Sequence, residues 1–218
     1  MEKITDELTG VKTVAIAGHI RPDGDCIGSC MGMYLYLKEN YPDIETDIYL
    51  EQPREGFSYI SHLEDIKTAC TEEKIYDLFI TLDASTSDRI GVAQELFRKA
   101  KRRICIDHHV SNPGFADKDI ICPQIGSASE VLYHLLEEEK ITKPIAEAIY
   151  TGMAHDTGVF RYSCTTPDTM RIAAKLMEKG IDFSSIIDQS FCEKSYVQNQ
   201  ILGRCLMESI QVLHGKCI

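Results

Sequence analysis

Short β-branched apolar runs alternate with longer helical stretches along the first half of this chain. Thr13-Val14-Ala15-Ile16-Ala17-Gly18 is apolar and bounded by turn residues, which predicts a buried strand. The turn Arg21-Pro22-Asp23-Gly24-Asp25 follows. Residues 26–37 then form a long apolar stretch, with Gly28, Ser29, Cys30 and Gly32 early and Met33, Leu35 and Leu37 later. This predicts a helix whose small residues allow close packing near its N-terminus. Asp47-Ile48-Tyr49-Leu50 reads as a second strand, and 76–82, ending at Asp83, as a third. Arg103-Ile104-Cys105-Ile106 reads as a fourth, running into Asp107-His108-His109, and Ile120-Ile121-Cys122 as a short fifth. Further helices are predicted over 88–100, from the spacing of Val92, Leu96 and Phe97, and over 127–139, where Ser127 and Glu130 stand at capping-box spacing. Another runs from Pro144 to about His155, and one over 167–179 is closed by Gly180.

Strands alternating with helices define the class as α/β, with a mainly parallel β-sheet and helices on both faces. Such sheets bind ligands at the carboxyl ends of their strands, where the winding reverses. His19, Asp83 and His108 each fall just after a predicted strand. The tail differs: 196–208 reads as a helix and 210–218 as the opening of a hairpin, so the chain reads as ending shortly into a second domain. We expect a catalytic domain over 1–190, then a linker helix and the start of a C-terminal substrate-binding domain over 191–218.

Composition alters this picture little. Hydrophobic residues make up 44% and charged residues 26%, as in ordinary globular domains. No apolar run approaches the roughly 20 residues of a bilayer span, and the charged N-terminus is unlike a secretory signal. The expectation is a cytoplasmic protein with no membrane partner. Nine cysteines include no Cys-x-x-Cys pair, so they read as reduced structural thiols, not as a disulfide or zinc framework. Cys26 stands apart, because it falls inside the strongest motif. The net charge of −11 argues against a partner such as duplex DNA, which selects a basic surface. Short phosphorylated substrates remain compatible with a site that holds cations.

The chemistry concentrates in four segments. His19-Ile20-Arg21-Pro22-Asp23-Gly24-Asp25 puts one imidazole and two carboxylates on a turn leaving a buried strand. Pro22 stiffens that turn and Gly24 permits a tight or left-handed geometry. Asp83 ends a strand. In Asp107-His108-His109 the adjacent rings cannot both face one point, so one ligand and one substrate contact is the natural division. Asp156-Thr157-Gly158 puts a carboxylate at a helix end. Oxygen and nitrogen donors without a thiolate suit Mn²⁺ or Mg²⁺ better than a structural zinc. Among lesser candidates, Arg161 reads equally as a phosphate contact or an ion-paired side chain. Ser127 reads as a helix cap, and His155 as a structural or supporting residue.

With these motifs the sequence resembles the DHH phosphoesterase family, from about residue 10 to about residue 205. The match rests on His-x-x-x-Asp-x-Asp at 19–25, Asp at 83, Asp-His-His at 107–109 and Asp-Thr-Gly at 156–158. Arg21, Gly24, Gly28 and Ser29 make the first motif similar to a branch of small oligoribonucleases that also act as 3′-phosphoadenosine-5′-phosphate phosphatases. The family's pyrophosphatases usually carry a bulkier polar residue at the place of Gly24. The resemblance implies two divalent cations, Mn²⁺ by preference, with Mg²⁺ or Co²⁺ as substitutes. His19 and Asp23 would bind one, Asp25, His108 and Asp156 the other, and Asp83 would bridge them. Asp107 would orient His108 through its other ring nitrogen, and His109 would contact the substrate phosphate; these two form the expected catalytic pair.

The implied activity is exonucleolytic hydrolysis of short single-stranded RNA, with removal of phosphate from small nucleotide bisphosphates. Cyclic or linear dinucleotides are the alternative substrates, and a non-catalytic nucleotide-binding module is the alternative of another class. Relatives are commonly dimers, which makes a homodimer an expected assembly. Members of this branch also carry a C-terminal domain with a Gly-rich, His-containing motif and basic residues that grip the substrate. This chain stops before such a motif, so at this length it is expected to bind metal yet turn over substrate poorly.

Overall fold

A computed structural model describes residues 2–71, 73–209, 212–213 and 216–217. Five strands form one sheet: β1 (Thr13–Ala17), β2 (Glu45–Tyr49), β3 (Leu78–Leu82), β4 (Arg103–Asp107) and β5 (Lys118–Ile121). Their order is β2-β1-β3-β4-β5, and every neighbouring pair is parallel. The register aligns Ile48, Ile16, Ile80 and Ile104 across four strands. Because side chains alternate along a strand, Val14, Ile16, Leu78, Ile80, Leu82, Ile104 and Ile106 feed one core, while Ala15, Ala17, Tyr49 and Phe79 feed another on the opposite face. Both faces are covered, as an all-parallel sheet requires.

The helices are α1 (Gly24–Asn40), α2 (Gln94–Lys99), α3 (Ala128–Leu135), α4 (Lys143–Asp156), α5 (Pro167–Glu178), α6 (Phe183–Ile187) and α7 (Tyr196–Arg204). The larger core takes the apolar sides of α1, α3, α4, α5 and α6. The smaller one is closed by α2 and the 3₁₀ turn before it, through Ile90, Ala93, Leu96 and Phe97. The small residues expected to allow close packing do so: a Cβ on Gly28 would lie 2.5 Å from the Ala148 oxygen and 2.6 Å from the Gly152 nitrogen. Only glycine lets α1 and α4 approach to that separation.

Several expected boundaries shift for local reasons. Helix α1 starts at Gly24, because the Asp23 carboxylate caps it by accepting from the Asp25 and Cys26 amides. The helix expected over 88–100 is interrupted at Gly91, whose φ of +69° kinks the 3₁₀ segment Ser87–Ala93, and only Gln94–Lys99 (α2) is α-helical. The helix expected over 127–139 ends at Leu135; Leu136 turns extended and stays buried, and Glu138–Lys140 form a 3₁₀ turn. The helix expected over 196–208 stops at Arg204 and continues as a π-type turn, Cys205–Ser209. Of the expected hairpin, Val212–Leu213 and Lys216–Cys217 pair antiparallel, whereas 210, 211, 214, 215 and 218 lie outside the described residues. Cys26, Cys30, Cys105 and Cys122 are buried as structural thiols, but Cys192 and Cys205 are exposed. Among the described residues no helix is long and apolar enough to cross a membrane.

Candidate metal centre

The chain leaves β1 for β2 on one side and returns to β3 on the other, so the winding reverses between β1 and β3. That crevice is where sheets of this order bind ligands. His19 lies two residues beyond β1, Asp83 directly follows β3, and β4 ends at Asp107 with His108 and His109 next. Helix α1 contributes Asp23 as its cap and Asp25 in its first turn, and Asp156 is the last residue of α4. All six expected ligand positions therefore meet at one place.

Asp83 joins two clusters. Its Oδ2 lies 3.5 Å from His19 Nε2 and its Oδ1 3.6 Å from His108 Nε2. On the first side, Asp23 Oδ1 is 3.6 Å from His19 Nε2. On the second, Asp25 Oδ2 and Asp156 Oδ2 are 3.8 Å and 3.1 Å from His108 Nε2. Asp83 has a φ of +56°, a left-handed conformation that Asp tolerates better than most residues. Its amide still donates to the Ile106 oxygen at 3.0 Å, which holds the turn against β4.

Backbone groups orient these side chains. His19 Nδ1 donates to the Ile20 oxygen at 2.8 Å, which leaves the Nε2 lone pair facing Asp23 and Asp83 when the ring is neutral. Asp25 is fully buried, and its two oxygens accept from the Ala128 amide at 2.6 Å and the Ser129 amide at 2.9 Å. The N-terminus of α3 thus carries part of that negative charge. Burial alone would lower the His19 pKa, but the Asp23 and Asp83 carboxylates overcome it and raise the ring to about 11. His108 is likewise raised to about 11 against its burial, by Asp156 and Asp83. Burial, then the charges of neighbouring carboxylates, pushes Asp25 and Asp156 upward.

The donor set fits divalent cations. Asp83 Oδ1 and His108 Nε2 are buried without a hydrogen-bond partner, an uncommon condition for polar atoms in a folded protein. His108 Nε2 faces the carboxylates of Asp25, Asp83 and Asp156, and Asp83 Oδ1 faces the rings of His108 and His109. Three sets of possible ligand atoms within 4.8 Å of one another fall here: His19 with Cys26 and Asp83, Asp25 with His108 and Asp156, and Asp83 with Asp107, His108 and His109. The Cys26 sulfur is engaged behind the loop, accepting from the His19 amide at 3.2 Å. The remaining donors are carboxylate and imidazole, which suit hard or borderline ions.

Four expectations need correction. The Asp107 carboxylate meets His109, accepting from Nδ1 at 2.8 Å, and not His108. Both histidines lie beyond the end of β4, and their rings sit 4.8 Å apart and both approach Asp83 Oδ1 at 3.6 Å, contrary to the expectation that adjacent rings cannot face one point. Gly24 is required for space and not for a left-handed turn: it is helical, and a Cβ there would meet the His155 ring at 2.0 Å. Glu130 does not complete a capping box with Ser127; the Ser127 hydroxyl accepts from its amide, while its carboxylate accepts from Thr169 Oγ1. His155 packs against Phe57 at a tilt and edge-on to Phe191, with Nε2 3.1 Å from Ser190 Oγ. Arg161 turns back to donate from Nε to the Gly158 oxygen. The sequence reading passed over Asn112, whose Nδ2 donates to Asp107 Oδ2 at 2.7 Å. In Ser111-Asn112-Pro113-Gly114 it reads only as turn punctuation.

A carboxylate and imidazole basin at the switch point of a parallel sheet defines an α/β domain that could hold metal ions at its strand ends. The model of the DHH family, N-terminal domain, matches residues 13–153, and the chain belongs to that family. It is 30% identical over 215 residues to the bifunctional oligoribonuclease and PAP phosphatase NrnA of Thermus thermophilus, covering 94% of this chain and 62% of the relative. It is 26% identical over 185 residues to the protein of the same description from Bacillus subtilis, covering 82% and 57%. A crystal structure of an exopolyphosphatase-related protein from Bacteroides fragilis superposes with a TM-score of 0.86 at 26% identity, over 96% of this chain and 65% of that one. The chain spans about six-tenths of the length of the curated relatives it matches.

Proposed function

We propose that this chain carries the metal site of a phosphoesterase that hydrolyses short oligoribonucleotides from an end and dephosphorylates 3′-phosphoadenosine-5′-phosphate. The observation that carries the reading is Asp83, one carboxylate that turns an oxygen toward each of two ligand clusters. In this reading His19 and Asp23 would hold one divalent cation, Asp25, His108 and Asp156 would hold a second, and Asp83 would serve both. Mn²⁺ is the proposed ion. When bound, such a pair supplies Lewis acidity to the phosphate and a nucleophile from water at neutral pH.

The chain's own residues prepare that chemistry. The Ile20 oxygen selects the His19 tautomer, and the α3 amides hold Asp25 so that it cannot swing away. Hydrogen bonding to Asp107 raises the His109 pKa despite partial burial, and the bonded Nδ1 leaves Nε2 to donate to a phosphate oxygen. The substrate pair is supported by the descriptions of the relatives, of which the first matches 94% of this chain. The acidic chain, with its net charge of −11, would need the cations to accept a polyanion at all.

The test is Mn²⁺-dependent hydrolysis of a labelled short RNA, beside 3′-phosphoadenosine-5′-phosphate and a cyclic dinucleotide, in the natural full-length protein and its Asp83→Asn variant. We expect turnover of the first two substrates, lost to background in Asp83→Asn. Hydrolysis of the cyclic dinucleotide alone would replace the substrate class. Bound metal with no turnover of any of the three would overturn the enzyme reading in favour of a nucleotide-binding module.

A further inference from the structure

We propose that Asn112 is a positioning residue that holds Asp107, and through it His109, in register with Asp83. The role given to His109 rests on the phosphoesterase reading above; the way it is held does not.

Asp107 is fully buried, and each of its oxygens has one side-chain donor. His109 Nδ1 occupies Oδ1 at 2.8 Å, and Asn112 Nδ2 occupies Oδ2 at 2.7 Å. The orientation of the amide is determined, because Asn112 Oδ1 accepts from the Gly114 amide at 2.9 Å. Its NH₂ edge must therefore face Asp107. The same nitrogen donates to the Ala84 oxygen at 3.2 Å, directly after Asp83 and its left-handed backbone. The Asn112 amide in turn donates to the His109 oxygen at 3.1 Å. One side chain thus ties the turn after β3, which carries Asp83, to the turn after β4, which carries His108 and His109.

The chemistry of the pair is directional. A buried carboxylate with one oxygen unpaired re-aims toward whatever donor it can reach, and the ring it holds follows. Asn112→Ala removes the donor. Asn112→Asp keeps the shape but sets an acceptor against the Asp107 carboxylate, so it should be worse than alanine. A residue that merely fills the turn predicts the reverse order, because Asp is nearly the size of Asn and favours turns.

The experiment combines kinetics with histidine-selective ¹⁵N NMR on the natural full-length protein as wild type and on its Asn112→Ala and Asn112→Asp variants. Loss of a hydrogen bond to a charged group behind an active residue lowers activity by about 10–100-fold. We expect a fall of that order in kcat on short RNA for Asn112→Ala, with a smaller change in KM, unchanged metal content, and a further loss in Asn112→Asp. In a His109→Ala background, Asn112→Ala should cost no more activity. The His109 Nδ1 signal should move in both single variants. Independent, multiplying losses, an Asn112→Asp variant as active as Asn112→Ala or more so, or an unmoved His109 signal would each overturn the proposal. A wild type inactive on every substrate would instead overturn the functional reading, and the NMR comparison would still decide how His109 is held.

Discussion

Helices α1 and α7 are both rich in apolar residues, and the fold treats them in opposite ways. Residues 24–37 of α1 are all buried. In α7 none is buried, and Tyr196, Val197, Ile201 and Leu202 stand in solvent. The difference lies in the partner. Gly28 on α1 meets Gly152 on α4 at backbone contact, and close packing of that kind supplies the dense contacts that hold a helix in a core. Nothing comparable meets α7 among the described residues. Apolar content makes burial favourable, but a complementary surface is what realises it. The crossing also has a functional side, since Asp25 and Asp156 come from the two helices that meet there.

The strongest way to break this contrast is to force the crossing apart. Gly28→Ala would put a methyl group against backbone atoms of α4 that cannot rotate away, and overpacking of this kind costs about 1–3 kcal/mol, with rigid backbone neighbours at the upper end. Gly152→Ala would set its methyl 2.6 Å from Asp25 Oδ1, so it should weaken metal binding as well as stability. Urea denaturation and metal titration read the two effects; an unchanged midpoint in Gly28→Ala would refute the close-crossing account.

A medium effect concerns protons at the buried end of α1. His19 and His108 have pKa values raised to about 11 without cations, so both rings are protonated at neutral pH. A ligand nitrogen must lose its proton to bind metal. Cation binding should therefore release protons, about one from each ring, and affinity should strengthen as the pH rises from about 6 to about 8. Calorimetry in buffers of different ionisation enthalpy measures the release; buffer-independent heats would refute it.

The smallest effect is expected in α7. Ile201→Ser and Leu202→Ser remove apolar groups that are already in water, and such surface changes usually stay within about 0.5 kcal/mol. A larger loss in the thermal midpoint would mean that α7 is covered in solution.

Much of this architecture was legible in the chain because it is written at short range. Short apolar runs bounded by turn residues marked the strands, and the motifs with His19, Asp83 and His108 sat at their ends because parallel sheets put function there. His19, Asp83 and His108 converge for that reason, while α1 brings Asp23 and Asp25 and α4 brings Asp156. Helix ends were less legible: Gly91 interrupts one expected helix through its backbone conformation, and Leu136 leaves another to stay in the core. The partner of Asp107 was misassigned, since motif adjacency says nothing about which of the two rings its carboxylate reaches.

By itself the sequence determined the α/β class, the strands and the identity of the residues that gather at their ends, because each depends on neighbours within a few positions. Tertiary structure alone decided how those residues are held. The amides that fix Asp25 come from residues 103 and 104 positions away. The ring that makes Gly24 necessary belongs to His155, on another helix. Asn112 binds Asp107 and Ala84 across two neighbouring strand ends. Such contacts form only when distant segments are packed together, and local spacing carries no record of them.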